Sequence, residues 1–178
     1  GTYSLQSAKE GVNFNILEEL HKHDFDCVIN VLDALSLQRN LYLTYQLREQ
    51  GIPVIVVVNR IDLAEKHGYD IDVSVMSKAL NCPVIAMCAC SGKDYALIED
   101  AIENYTFKPF HGYTELNFWK KLQFQFQQSG CESLAYSDLR TLEMGQFTNA
   151  EFLKIHENPI SIEIADLRYQ EISNMLSR

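Results

Sequence analysis

Apolar and polar positions follow two periods along this chain, and the change from one to the other divides it. From residue 27 to residue 105, short apolar runs take turns with longer segments in which apolar residues recur every three or four positions. The runs are Cys27-Val-Ile-Asn-Val-Leu-Asp33, Pro53-Val-Ile-Val-Val-Val-Asn59 and Cys82-Pro-Val-Ile-Ala-Met-Cys88. Short runs so rich in β-branched residues predict strands buried on both faces of a parallel sheet. The spacing between them predicts helices over 36–50, 71–80 and 94–105, with a short helical turn at 63–66. Ser36 is placed to cap the first helix, and Gly51 followed by Pro53 to end it. Asp70 or Asp72 leads into the second, and Leu97, Ile98, Ala101 and Ile102 give the third an apolar face. Strand and helix thus alternate three times, which implies an α/β fold with right-handed crossovers and three strand ends on one edge.

The flanks read differently. Residues 1–11 carry neither period and read as a loop, while Phe14, Leu17 and Leu20 predict a helix over 12–23. The stretch 107–112, which contains Pro109, marks a boundary between an α/β part at 1–106 and an all-helical part at 107–178. In the second part Leu116, Trp119, Leu122 and Phe126 keep a helical step. Leu134, Leu139, Leu142 and Phe147 predict a second helix interrupted at Gly145, and 150–155 a third. Ile164, Leu167, Ile172 and Met175 predict a last one, and the alternation over 160–164 leaves a short strand open before it. Phe118, Trp119, Phe124 and Phe126 could form a base-stacking surface, but at helical spacing they read as a small core.

Composition narrows the function. With 47% hydrophobic residues in 178, the chain can bury a core, and its net charge of −9 argues against a nucleic-acid surface. No apolar run approaches the roughly 20 residues that span a bilayer, and no secretion leader stands at the start. Five cysteines without disulfide spacing predict reduced thiols in a cytosolic compartment. Cys88 and Cys90 would need two more ligands to hold a metal, and no Cys or His cluster supplies them.

Ligands of open α/β sheets bind beyond the carboxyl ends of the strands, where Asn59 and Asp62 stand. An Asn-x-x-Asp at such an end is the guanine-reading motif of small GTPases and their relatives. Asp62 would accept from the ring N–H and the exocyclic amine of guanine, a pair that adenine does not offer. Leaving that carboxylate unpaired in a closed pocket costs about 1–3 kcal/mol. Asn59 would tie the base loop to neighbouring loops. The alternative for both residues is to cap the next turn. Cys88-Ala89-Cys90 lies where GTPases place a backbone N–H against the guanine keto oxygen, and Gly1-Thr-Tyr-Ser resembles the tail of their Asp-x-Pro-Gly motif. The phosphate-loop signature does not occur in this chain, since Gly92-Lys93-Asp94 lacks both its first glycine and its hydroxyl residue.

Longer stretches carry a closer resemblance. They are Gly1 to Leu5, Val28-Ile-Asn-Val-Leu-Asp-Ala34, Arg39-Asn-Leu-Tyr-Leu-Thr44, Gly51-Ile-Pro53, Asn59-Arg-Ile-Asp-Leu-Ala-Glu65, Cys82-Pro-Val-Ile85 and Ile164-Ala-Asp-Leu-Arg-Tyr169. Through them the chain resembles the cytosolic GTPase region of the ferrous iron transport protein B family. The resemblance implies the second half of a Ras-like P-loop GTPase sheet, followed by a small all-helical domain. It implies GTP binding and slow hydrolysis that gates iron(II) uptake, on the cytoplasmic face of a bacterial inner membrane. Its implied ligands are GTP or GDP, with Mg2+ held through an N-terminal segment. Its implied base-site residues are Asn59, Arg60, Ile61, Asp62, Cys88, Ala89 and Cys90, with Gly1 at the terminal phosphate; it places no catalytic residue in this chain. Its implied partners are the guanine nucleotide and the protein's own transmembrane domain, and a homo-oligomer stays open.

Arg60 departs from the family, which usually has an apolar residue there, and Ala89-Cys90 stands where Ser or Thr is common. The family pattern places a phosphate loop and a first switch ahead of Gly1. The chain therefore reads as a fragment, its strand at 27–33 expected to pair with an earlier strand. Two other readings remain: another GTPase class, such as a ribosome-assembly or tRNA-modifying factor, and a non-enzymatic module docking on a membrane partner.

Overall fold

The computed structural model describes residues 6–9, 12–92, 94–113, 116–146, 152 and 159–177. An antiparallel hairpin of β1 (Gln6–Lys9) and β2 (Val12–Asn15) comes first, pairing Gln6 with Asn15 and Lys9 with Val12. Helix α1 (Ile16–Lys22) begins only after it. This corrects the loop expected over 1–11 at residues 6–9 and the helix expected over 12–23 at residues 12–15; residues 1–5, 10 and 11 lie outside the described residues. Val12-Asn-Phe-Asn15 alternates apolar and polar residues at the period of a strand, and asparagine is a weak helix former.

The central sheet is parallel, in the order β3 (Val28–Asp33), β4 (Val54–Asn59), β5 (Val84–Met87). β4 is buried on both faces from Val54 to Val58, as its β-branched run requires. β3 is not. Leu32 is buried and Asn30 donates to Thr44 Oγ1 at 2.8 Å, but Ile29 is 41% and Val31 59% exposed. The expectation of a strand covered on both faces therefore holds for one face, because side chains alternate and helix α2 covers a single side.

That helix, α2 (Leu37–Glu49), returns the chain from β3 to β4. The N–H of Gly51 bonds Arg48 O at 3.0 Å and that of Ile52 bonds Leu47 O at 3.1 Å, with Gly51 at φ 71°. These bonds close the helix end as a Schellman motif, which needs the left-handed conformation that glycine adopts freely. The start is built differently from expectation. Ser36 makes no side-chain cap bond; instead Asp33 accepts from the Leu35 N–H and opens a 3-10 turn at Ala34–Ser36.

α3 (Ile61–Lys66) and α4 (Val73–Leu80) follow, and Asp72 caps α4 by accepting from Ser74 and Val75. The face expected on α5 (Tyr95–Glu103) stays largely open, with Leu97 and Ile102 exposed.

Beyond residue 107 the described elements are helical: α6 (Asn117–Gln128), α7 (Asp138–Glu143) and α8 (Ile160–Leu176). α7 is shorter than the pattern predicts, because Leu134 is buried ahead of it through a backbone bond to the Gln123 amide. The alternating 160–164 segment is the first turn of α8, where Ile160, Ile164 and Leu167 bury one helical face, so the strand alternative is set aside. Most of the helix expected at 150–155 lies outside the described residues. Trp119 and Phe126 are core residues and Phe124 is exposed.

An apolar cluster runs from Leu32 on β3 to Met175 on α8. Of the buried arginines, Arg48 and Arg168 are the most deeply enclosed. Arg48 donates to the carbonyls of Leu80, Ile52, Asn81 and Lys108. Arg168 on α8 meets Glu49 on α2 and Glu143 on α7.

Candidate functional site

The three parallel strands end level. Asp33 is the register partner of Asn59, and Asn59 of Met87. This brings the polar residues after each strand to one edge, where α/β proteins hold their ligands.

Asn59 is the centre of the edge. Its Oδ1 accepts from the Arg60 N–H at 2.8 Å and from the Ala89 N–H at 3.0 Å, joining the end of β4 to the turn after β5. Arg60 turns the chain in the left-handed region and starts α3. Asp62 lies in the first turn of α3, with Lys66 Nζ 3.9 Å from its carboxylate. An acid in a first turn suits the helix dipole.

On the β5 side, Ala89–Ser91 forms a 3-10 turn. The Asp62 carboxylate beside the Cys88 thiol pushes the thiol pKa upward, and burial adds to it. Asp94 accepts from the Cys88 N–H at 3.3 Å, and Ser91 Oγ donates to Cys88 O at 2.8 Å. Tyr95 reaches Ala89 O at 3.4 Å.

Asn59, Arg60, Asp62, Cys88 and Ala89 are therefore brought together. Ile61 is the first residue of α3, Cys90 is exposed within the 3-10 turn, and Gly1 lies outside the described residues. Asp33 and Asp94 join the site without having been singled out as site residues. An acid directly after an apolar run was the available signal for Asp33. The edge offers the Asp62 carboxylate as an acceptor beside the Ala89 and Cys88 N–H groups, which Asn59 and Asp94 engage.

A parallel three-stranded sheet with helical crossovers and polar strand ends is the architecture of nucleotide-binding α/β domains. The sequence pattern describing ferrous iron transport protein B matches residues 1–102, and the chain belongs to that family. The Fe(2+) transporter FeoB of Escherichia coli (strain K12) is 41% identical over 110 residues, which are 59% of this chain and 14% of that protein. FeoB of Salmonella typhimurium matches to the same extent. The chain thus spans about one seventh of the length of these curated relatives.

Among solved structures, the cytosolic domain of L. pneumophila FeoB aligns with a TM-score of 0.71 at 30% identity, over 99% of this chain and 76% of that one. A variant of S. thermophilus NFeoB bound to GMPPNP aligns at 0.73 and 21% identity, over 100% of this chain and 79% of that one. The family sets aside the ribosome-assembly and tRNA-modifying alternatives.

Proposed function

We propose that this chain supplies the guanine-reading half of a GTP-binding and GTP-hydrolysing region in a bacterial ferrous iron transporter, with Asp62 as the base reader. One observation carries the reading: Asn59 bridges the ends of β4 and β5 while α3 presents the Asp62 carboxylate beside that bridge. A carboxylate held there accepts the two N–H groups of guanine and rejects bases that lack them. Guanine's keto oxygen then competes with Asn59 for the Ala89 N–H, which Asn59 engages in the structure.

Family membership supports the remainder. The region works on the cytoplasmic face of the inner membrane, and nucleotide turnover gates iron(II) passage through the attached transmembrane part. The α/β part at 1–106 carries the nucleotide edge, and the helical part at 107–178 transmits its state. Mg2+ belongs with the phosphates. Among the described residues no cluster of His, Cys, Asp or Glu fits a metal ion, so the reading assigns Mg2+ and the hydrolytic groups to a phosphate loop that this chain does not contain. Titration of the full-length protein with GDP and ADP tests the reading. Guanine selectivity of at least about a hundredfold is expected, and equal affinities would refute it.

A further inference from the structure

Arg60 has φ 67° and ψ 32°, a conformation that side chains with a Cβ rarely adopt. Such a conformation persists only where its surroundings hold it. The Arg60 N–H donates to Asn59 Oδ1 at 2.8 Å. Its carbonyl accepts from Leu63 and Ala64 at 3.1 and 3.2 Å, opening α3. Its guanidinium crosses to β3 and donates to Asp33 Oδ2 at 2.8 Å. Asp33 is itself held, because Oδ1 accepts from the Leu35 N–H at 3.1 Å. One carboxylate therefore joins the end of β3, the turn into α2, and the turn that aims Asp62.

We propose that Asp33 is a positioning residue for the nucleotide: through Arg60 it clamps the 59–62 turn and so sets how long a guanine nucleotide stays bound. This rests on the reading of Asp62 as the guanine contact. Arg60 lies between Asn59 and Asp62, so a change in its backbone angles swings the Asp62 carboxylate away from the strand-end edge. Two directed hydrogen bonds to one base tolerate little swing. The clamp involves no change in the diffusional encounter, so its loss is read mainly in the dissociation rate. Arg60 and Asp33 are 46% and 34% exposed at their side chains, so the pair is modest in strength and sensitive to salt.

The test is stopped-flow release of a fluorescent GDP analogue from the full-length protein. Wild type is compared with Asp33→Asn, Arg60→Met, Arg60→Lys, and the Asp33→Asn/Arg60→Met double variant. Asp33→Asn keeps an acceptor for the Leu35 N–H and removes the charge. Each of Asp33→Asn and Arg60→Met should speed release by about two- to five-fold, the double variant no more than either, and Arg60→Lys should restore most of the loss. Raising salt from roughly 0.05 to 0.5 M should erase the difference from wild type, while melting temperatures stay together. Wild-type release from Asp33→Asn would overturn the clamp. Additive effects in the double variant would also overturn it, by placing Arg60 on the nucleotide itself. Asp62→Asn, run in parallel, separates the two ideas. Undiminished GDP binding there sinks the guanine reading, whereas lost binding there beside an unchanged Asp33→Asn sinks only the clamp.

Discussion

Arg168 and Glu49 stand 119 positions apart and meet in a two-bonded ion pair, Nε to Oε1 at 2.8 Å and Nη2 to Oε2 at 2.7 Å. Both side chains are sealed from solvent, at 0% and 1% exposure. The free Arg168 nitrogen is used as well, with Nη1 donating to Glu143 Oε1 at 2.7 Å and to the Tyr42 hydroxyl at 2.8 Å. Tyr113 donates its hydroxyl to Glu49 at 2.5 Å. Burial opposes the guanidinium charge, but Glu49 and Glu143 outweigh it and hold the arginine pKa above its ordinary value. The network fastens α8 to α2, the helix whose entry turn is capped by Asp33.

Breaking such a pair leaves uncompensated charge in the core. Arg168→Met should lower stability by about 3–5 kcal/mol in urea denaturation, and adding Glu49→Gln should recover part of the loss. A single variant within about 1 kcal/mol of wild type would show that the lock does not hold the helices together.

The same network gives stability an alkaline limit. Burial, with Glu143 adding to it and Arg168 opposing it, pushes Tyr42 up to about 12. Burial and Glu49 raise Tyr113 well above its ordinary value. In the unfolded chain both phenols ionise near about 10, so between these values the folded state holds more protons. The Tyr42 contribution is complete below about pH 10 and is lost as pH rises through about 12, and that of Tyr113 is lost on the same alkaline side. Melting temperatures across this range should fall more gently in Tyr42→Phe than in wild type; identical slopes would contradict the assignment.

Glu143 behaves in the opposite sense. Burial raises its pKa, but Arg168, Tyr42 and Arg140 outweigh burial and the net shift is downward. Its contribution is present above the ordinary carboxylate value and is lost as pH falls through the lowered one. Glu143→Gln should therefore flatten the acid side of the stability profile, as followed by circular dichroism, and an unchanged acid limb would contradict this.

Arg48 is buried and donates to four backbone carbonyls, two of them at the C-terminal end of α4, with no carboxylate partner among the described residues. A cation suits that negative end of the helix dipole. Arg48→Met should cost about 3 kcal/mol or more in denaturant unfolding. Arg48→Lys should recover only part, since one ammonium cannot reach what a planar fork reaches. Full recovery by lysine would show that charge alone matters there.

Asn59→Ala removes the shared acceptor of the Arg60 and Ala89 N–H groups. GDP affinity should fall about tenfold or more by calorimetry, with Asn59→Asp retaining part of it. Unaltered affinity in the alanine variant would mean that the bridge between β4 and β5 does not organise the edge.

The strands at 54–59 and 84–87 were legible because β-branched runs have few other uses, and the end of α2 because Gly51 stands where a left-handed residue is required. Asn59 and Asp62 were legible as a spaced polar pair after such a run. The hairpin at 6–15 was missed because Phe14, Leu17 and Leu20 satisfy a helical step while Val12 and Phe14 also satisfy a strand step. The open faces of β3 and α5 were missed because periodicity shows which residues are apolar, not what covers them. The contacts from Arg60 to Asp33 and from Arg168 to Glu49 join distant residues, and no local pattern records such pairing.

The most direct measurement is calorimetric titration of Asp62→Asn in the full-length protein with GDP and with xanthosine diphosphate. The amide turns one acceptor into a donor, which meets the guanine amine unfavourably and the xanthine C2 oxygen favourably. GDP affinity should fall by about a hundredfold or more while xanthosine diphosphate gains. Unchanged GDP affinity with no gain for the xanthine nucleotide would contradict Asp62 as the residue that reads the base.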